Sequence, residues 1–147
     1  MRIFTSAALA ALIGLAAAPG KVTAGAAADA PATAVELNRL EAQDGSCRVY
    51  LLFDNRAPAP YEALRLDLIF FGKDGVIARR LAVDAAPLRA DKRTVKLFDV
   101  AGLDCGDVGQ ILVNDVLACR DGSGGERADC IEDLALSSRV ADVPLTK

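Results

Sequence analysis

Seven short stretches in which apolar and polar residues alternate restrict this chain to β structure. In "CRVYLLFDN" (residues 47–55), Cys47, Val49, Leu51 and Phe53 share one face, and Arg48, Tyr50, Leu52 and Asp54 share the other. "LRLDLIFF" repeats the pattern, with Leu64, Leu66, Leu68 and Phe70 on one side and Arg65 and Asp67 opposite. A period of two is the mark of a strand with one buried face. Residues 35–41, "VIARRLAV", "RTVKLFDV", "QILVNDVLAC" and "IEDLALSS" complete the set. The first of these also reads as a short helix, since Val35, Leu37 and Leu40 fit a helical spacing. Between the runs lie turn formers: "QDGS" (43–46) with its Asp-Gly hairpin signal, "RAPAP", whose prolines stop a central strand, and "GKDG" (72–75). Short strands at this spacing, without an amphipathic helix, predict an all-β, immunoglobulin-like antiparallel sandwich of about seven strands.

Four cysteines constrain the topology: Cys47, Cys105, Cys119 and Cys130. Four allow three pairings. In an immunoglobulin-like order the second and sixth strands run the same way. Cys47 opens the second and Cys105 precedes the sixth, so both fall at one end. Cys119 closes the sixth and Cys130 opens the seventh, so both fall at the other. Joining Cys47 to Cys119 would link opposite ends of parallel strands. At about 3.3 Å per residue that span exceeds the Cα separation of about 7 Å a disulfide tolerates. Cys47–Cys105 with Cys119–Cys130 is therefore the expected pairing.

The first residues read as an export signal. Arg2 gives a positive start, and "AALAALIGLAAA" (7–18) is an apolar core of signal-peptide length. Pro19-Gly20 follows, then a small-residue cleavage pattern ending at Ala24, with residues 26–28 as a second option. Without a twin arginine the route is Sec, and without a following cysteine the signal is not of lipoprotein type. The alternative is an uncleaved anchor. The expected division is a signal-peptide helix at 1–24, a flexible tail at 25–34, the sandwich at 35–140 and a C-terminal tail at 141–147. The compartment follows as periplasmic, with no stable membrane insertion after cleavage.

Composition narrows the chemistry. Arg2 and Lys21 are the only two of the 17 basic residues before Ala24, and all 20 acidic residues follow it, leaving a net charge of −5. An acidic exported domain is a poor fit to nucleic acid. The chain has no histidine, so Ser-His-Asp and Cys-His nucleophile schemes are excluded, and zinc sites are disfavoured by the lack of any CxxC pair. No pair of carboxylates stands out for acid–base work, and there is no tryptophan to line a sugar site. The expectation is a protein that is not an enzyme and takes no cofactor.

Three features remain as candidate sites. The loop "RDGSGGERAD" places Asp121, Ser123, Asp129 and Glu132 at positions 1, 3, 9 and 12 of a calcium-loop register. Glu126 stands where the sharp turn needs glycine, and Gly125 where a ligand belongs, so Asp121, Asp129 and Glu132 are weak metal candidates. Arg79, Arg80, Arg89, Lys92, Arg93 and Lys96 crowd two successive strands and their connection, a positive strip that would meet an anionic partner or merely guard an edge. Asn114-Asp115 interrupts an apolar strand, as a β-bulge does.

The segments "QDGSCRVYLLFDN", "LDLIFFGKDGVIARRLAVDAAPLRADKRTVKLFDVAGLDC" and "LVNDVLAC" resemble a group of uncharacterised small exported alphaproteobacterial proteins labelled "Tat pathway signal sequence domain protein". The resemblance spans residues 37–138 and departs from the label in lacking the twin arginine. It implies a periplasmic home in a Gram-negative bacterium and carries no activity or site residues. The function expected is a non-enzymatic periplasmic interaction or accessory module whose partner is another periplasmic or envelope protein. The alternative is a small-ligand or calcium-binding domain using the Cys119–Cys130 loop.

Overall fold

The computed structural model describes residues 33–147. The expected signal peptide, and the expected tail up to residue 32, lie outside the described residues. The alternating runs become strands: β1 (Thr33–Gln43), β2 (Ser46–Asn55), β3 (Tyr61–Gly72), β4 (Ile77–Asp84), β5 (Lys92–Ala101), β6 (Val108–Asp121), β7 (Leu134–Ser138) and a short β8 (Leu145–Thr146). A 3-10 turn (Cys105–Asp107) precedes β6.

Two four-stranded sheets form, sheet A in the order β5-β2-β1-β7 and sheet B in the order β4-β3-β6-β8. The inward faces of the alternating runs form the centre of the core, joined by loop and terminal residues such as Leu88, Leu103 and Val143. Val49, Leu51 and Phe53 of β2 are fully buried from one sheet, and Leu66, Leu68 and Phe70 of β3 from the other. The β1–β2 connection turns at Gly45, whose φ of 70° suits a residue without a Cβ. Both disulfides form as the strand directions require: Cys47–Cys105 with Cα atoms 4.9 Å apart, and Cys119–Cys130 at 6.6 Å. Two disulfides belong to a protein that folds in an oxidising environment. Among the described residues no helix is long and apolar enough to cross a membrane.

The arrangement departs from the expected outline in three places. β4 pairs with β3 rather than with the β1-β2-β5 sheet, because the tight turn at residues 72–76 folds it back as a hairpin. β7 pairs with β1 in parallel, and β8 with β6 in parallel, so two pairings are not antiparallel. The expected tails are partly strand. β1 starts at Thr33, whose side chain is buried and hydrogen-bonded to Tyr61. The C-terminal residues 141–147 contribute buried Val143 and Leu145.

Candidate functional site

The positive strip is divided by the fold. β4 and β5 are edge strands of different sheets, on the same side of the sandwich, rather than neighbours in one sheet. The two consecutive arginines of β4 do different things. Arg79 donates from Nε to the Ala101 carbonyl at 3.2 Å and from Nη2 to the Gly102 carbonyl at 2.6 Å, so it ties β4 to the end of β5. Arg80 forms a two-pronged pair with Asp67, both bonds at 2.8 Å. Lys96 donates to the Ala86 carbonyl at 3.3 Å. Arg93 lies 3.9 Å from Asp54 Oδ2, an oxygen that Arg56 already holds at 3.1 Å. Arg89 and Lys92 are exposed and make no ion pair among the described residues.

Asp67 sits on the outer side of β3, yet its side chain is only 2% exposed. Arg80 covers it from β4, and Asn114 donates to its Oδ2 at 2.7 Å from β6. Arg80's hydrogen bonds hold the carboxyl below the usual carboxylate range, with Asn114 adding to the effect against the opposing cost of burial. Asn114 is an extra residue in β6, between Val113, which pairs with Leu68, and Asp115, which pairs with Asp67. The polar pair in the apolar run thus marks a bulge, and the bulge aims Asn114 at Asp67.

The Cys119–Cys130 loop uses its acids internally. Asp121 Oδ1 accepts from Ser123 Oγ at 2.6 Å, Ser123 N at 2.9 Å and Gly125 N at 3.1 Å. These bonds, Ser123's first, hold its carboxyl low. Arg127 pairs with Asp133 at 2.9 Å and lies over the Tyr61 ring, 4.6 Å from its centre. Among the described residues no group of three or more His, Cys, Asp or Glu is gathered to hold a metal ion. Asp121, Asp129 and Glu132 are therefore not brought together as a ligand set.

A surface that the sequence reading did not single out is the outer face of sheet A. On β5, Arg93, Val95, Leu97 and Asp99 point outward, and Val95 and Leu97 are 51% and 50% exposed. Their partners on β2 are Asp54, Leu52, Tyr50 and Arg48 in turn. The result is an apolar centre of Leu52, Tyr50, Val95 and Leu97, closed at each end by a cross-strand charge pair. Arg48 grips Asp99 with two bonds of 2.7 and 3.0 Å, and Arg93 faces Asp54. Beyond β2, β1 adds Glu41, which accepts from the Tyr50 hydroxyl at 2.9 Å, and Arg39, which stacks over the Tyr50 ring. No described element covers this face. The signal was present in "RTVKLFDV", where both faces carry apolar residues: Phe98 and Val100 inward, Val95 and Leu97 outward.

No family model matches the chain, and no curated protein matches it. Among solved structures, IrmA from Escherichia coli is similar in fold, with a TM-score of 0.54 and 10% sequence identity over 71% of this chain and 89% of that one. At that identity the likeness concerns the fold alone, which is the β-sandwich described above.

Proposed function

We propose that the protein is a non-enzymatic interaction module of the bacterial periplasm, delivered by a Sec-type signal peptide, which docks another envelope protein through the outer face of sheet A. The observation that carries this reading is the exposed pair Val95 and Leu97, continuous with Leu52 and Tyr50 and bounded by charge pairs. An apolar centre with a polar rim is the anatomy of a protein–protein contact surface. A few well-packed residues at such a centre carry most of the affinity, Tyr and Arg prominent among them, the apolar neighbours exclude water, and rim charges select the partner. The favoured occupant is a protein surface with an apolar strip flanked by charges of both signs, since the rim itself carries both.

The reading is tested with a photo-crosslinking residue in place of Leu97, and as a control in place of Ile77, which is 57% exposed on β4. Crosslinking in exporting cells gives an adduct with a different envelope protein from position 97 and not from position 77. Adding Val95→Asp abolishes the adduct. Equal adducts from both positions, or none from position 97, refute the docking face.

A further inference from the structure

β5 is the edge of sheet A, and among the described residues it pairs only with β2. The direction of its free backbone groups can be read from two contacts. The Gly102 N–H donates to Gly45, on the β2 side, whereas the Ala101 carbonyl accepts from Arg79, on the open side. The β2–β5 register has no shift, so the alternation holds along the strand. Arg93, Val95, Leu97 and Asp99 therefore present their backbone N–H and C=O groups to the open edge. An uncovered edge of this kind is a template for another strand.

The side chains of the same four residues carry a self-complementary code. Read outward along the strand, they run positive, apolar, apolar, negative. When β5 meets an antiparallel copy of itself about a two-fold axis at Lys96, Arg93 lies opposite Asp99, and Val95 opposite Leu97, and each relation occurs twice. The backbone agrees with this register, because both members of each pair offer groups to the open edge and so form hydrogen-bonded pairs. Moving the axis to Val95 or Leu97 sets a charged residue against an apolar one. Lys96 then faces its own copy, but on the inner side of the sheet, and its ammonium is drawn to the Ala86 carbonyl. Arg93 is free to reach across: its side chain is 67% exposed and held only at 3.9 Å.

We infer that the protein forms a two-fold dimer by antiparallel β5–β5 pairing about Lys96, joining two copies of sheet A into one eight-stranded sheet. The pairing uses the backbone edge and leaves the outer side chains facing outward. It merges two apolar centres into one continuous face and so goes beyond the docking face already proposed. A C2 contact of this type is isologous, the same residues serving on both sides.

Sedimentation of the oxidised protein across a concentration series tests the dimer. The native protein dimerises. Leu97→Pro deletes an N–H that points to the open edge and breaks no bond within the sheet, which an edge strand tolerates; it weakens the dimer at least about tenfold. Arg93→Glu and Asp99→Arg each do the same, because each sets like charges opposite one another twice. Mixed in equal amounts, these two variants recover the dimer as a heterodimer, since Glu then faces Arg and Asp faces Arg. That rescue does not depend on how either change affects the fold, which circular dichroism of each variant monitors. A monomeric native protein, a dimer indifferent to Leu97→Pro, or no recovery on mixing overturns the pairing. A native monomer that still crosslinks to an envelope protein from position 97 overturns the dimer and leaves the docking face intact.

Discussion

At the scale of single residues, Asp67 is the most consequential polar group. A carboxylate on the outside of a sheet is ordinarily solvated, but this one is enclosed between Arg80 and Asn114. Asp67→Asn removes the charge from a site whose donors are set for it. The expected loss is about 1–2 kcal/mol at pH 7, in the lower range for hydrogen bonds to charged groups, because Arg80 is itself 65% exposed and screened. The pH dependence follows from the direction of the shift. The folded carboxyl is depressed, so its contribution is complete above the unfolded value near 3.9 and disappears as pH falls through the folded value. Urea unfolding at pH 7, 5 and 3 therefore shows native and Asp67→Asn fully separated at the first two values and less separated at the third, which lies below the unfolded value. Equal separation at all three contradicts the assignment. Alternation alone placed Asp67 opposite Leu66 and Leu68, correctly, and Asn114-Asp115 signalled the bulge. The enclosure was not legible, because it depends on the registers of β4 and β6 against β3, and no local pattern encodes those.

At the scale of elements, the two disulfides staple opposite ends of β6 to different neighbours. Cys47–Cys105 closes a ring of sequence separation 58 and links the sheets at one end; Cys119–Cys130 closes one of 11 at the other. Chain entropy assigns about 4 kcal/mol to the longer ring and about 3 to the shorter. The longer one also involves Cys47, which is fully buried, so its removal adds a packing loss. Replacing Cys47 and Cys105 by alanine lowers the urea midpoint more than replacing Cys119 and Cys130 by alanine, although Cys130 is also buried, and the reverse order contradicts this account. The pairing was legible because strand direction fixes which cysteines share an end. The placement of β4 was not: an alternating run shows that a strand exists, and the turn before it decides which sheet it joins. The same gap governs how the positive strip is laid out. Arg79, Arg80, Arg93 and Lys96 are close in sequence, but β4 and β5 lie in different sheets; Arg79, Arg80 and Lys96 turn to local partners, while Arg93 stays exposed.

At the scale of the whole molecule, the sandwich has two lateral sides, and they are finished differently. On the β4/β5 side, Arg79 spans the gap and covers the end of β5 at Ala101, while the β5 backbone from Arg93 to Asp99 stays open, the stretch the dimer uses. On the opposite side the C-terminal residues act as a closure. Ser138 Oγ donates to the Val143 carbonyl at 2.6 Å, and the Pro144 carbonyl accepts from Ile111 N at 3.0 Å, which guides the chain from sheet A to sheet B. Val143 and Leu145 enter the core at 7% and 5% exposure. Lys147 then reaches back, its ammonium donating to the carbonyls of Ile131, Glu132 and Leu134 at 2.7, 3.0 and 2.6 Å. Residues 141–147 read as a tail because β8 is two residues long, too short for any periodicity to register. Two apolar side chains of this size contribute about 1.5–3 kcal/mol each on burial. Ending the chain after Val140 therefore removes on the order of 3–6 kcal/mol from a domain whose total is about 5–15. The melting temperature falls by on the order of 10 °C or more. Lys147→Ala alone costs less than about 1 kcal/mol, since its bonds to the carbonyls of Ile131 and Glu132 are exposed and exchange with water, leaving the part-buried bond to Leu134 as the main loss. A truncation that melts with the native protein, or a Lys147→Ala loss matching that of the truncation, means the closure does not rest on Val143 and Leu145. The β4/β5 side is unaffected by either change, so the truncated protein, where folded, dimerises as the native one does.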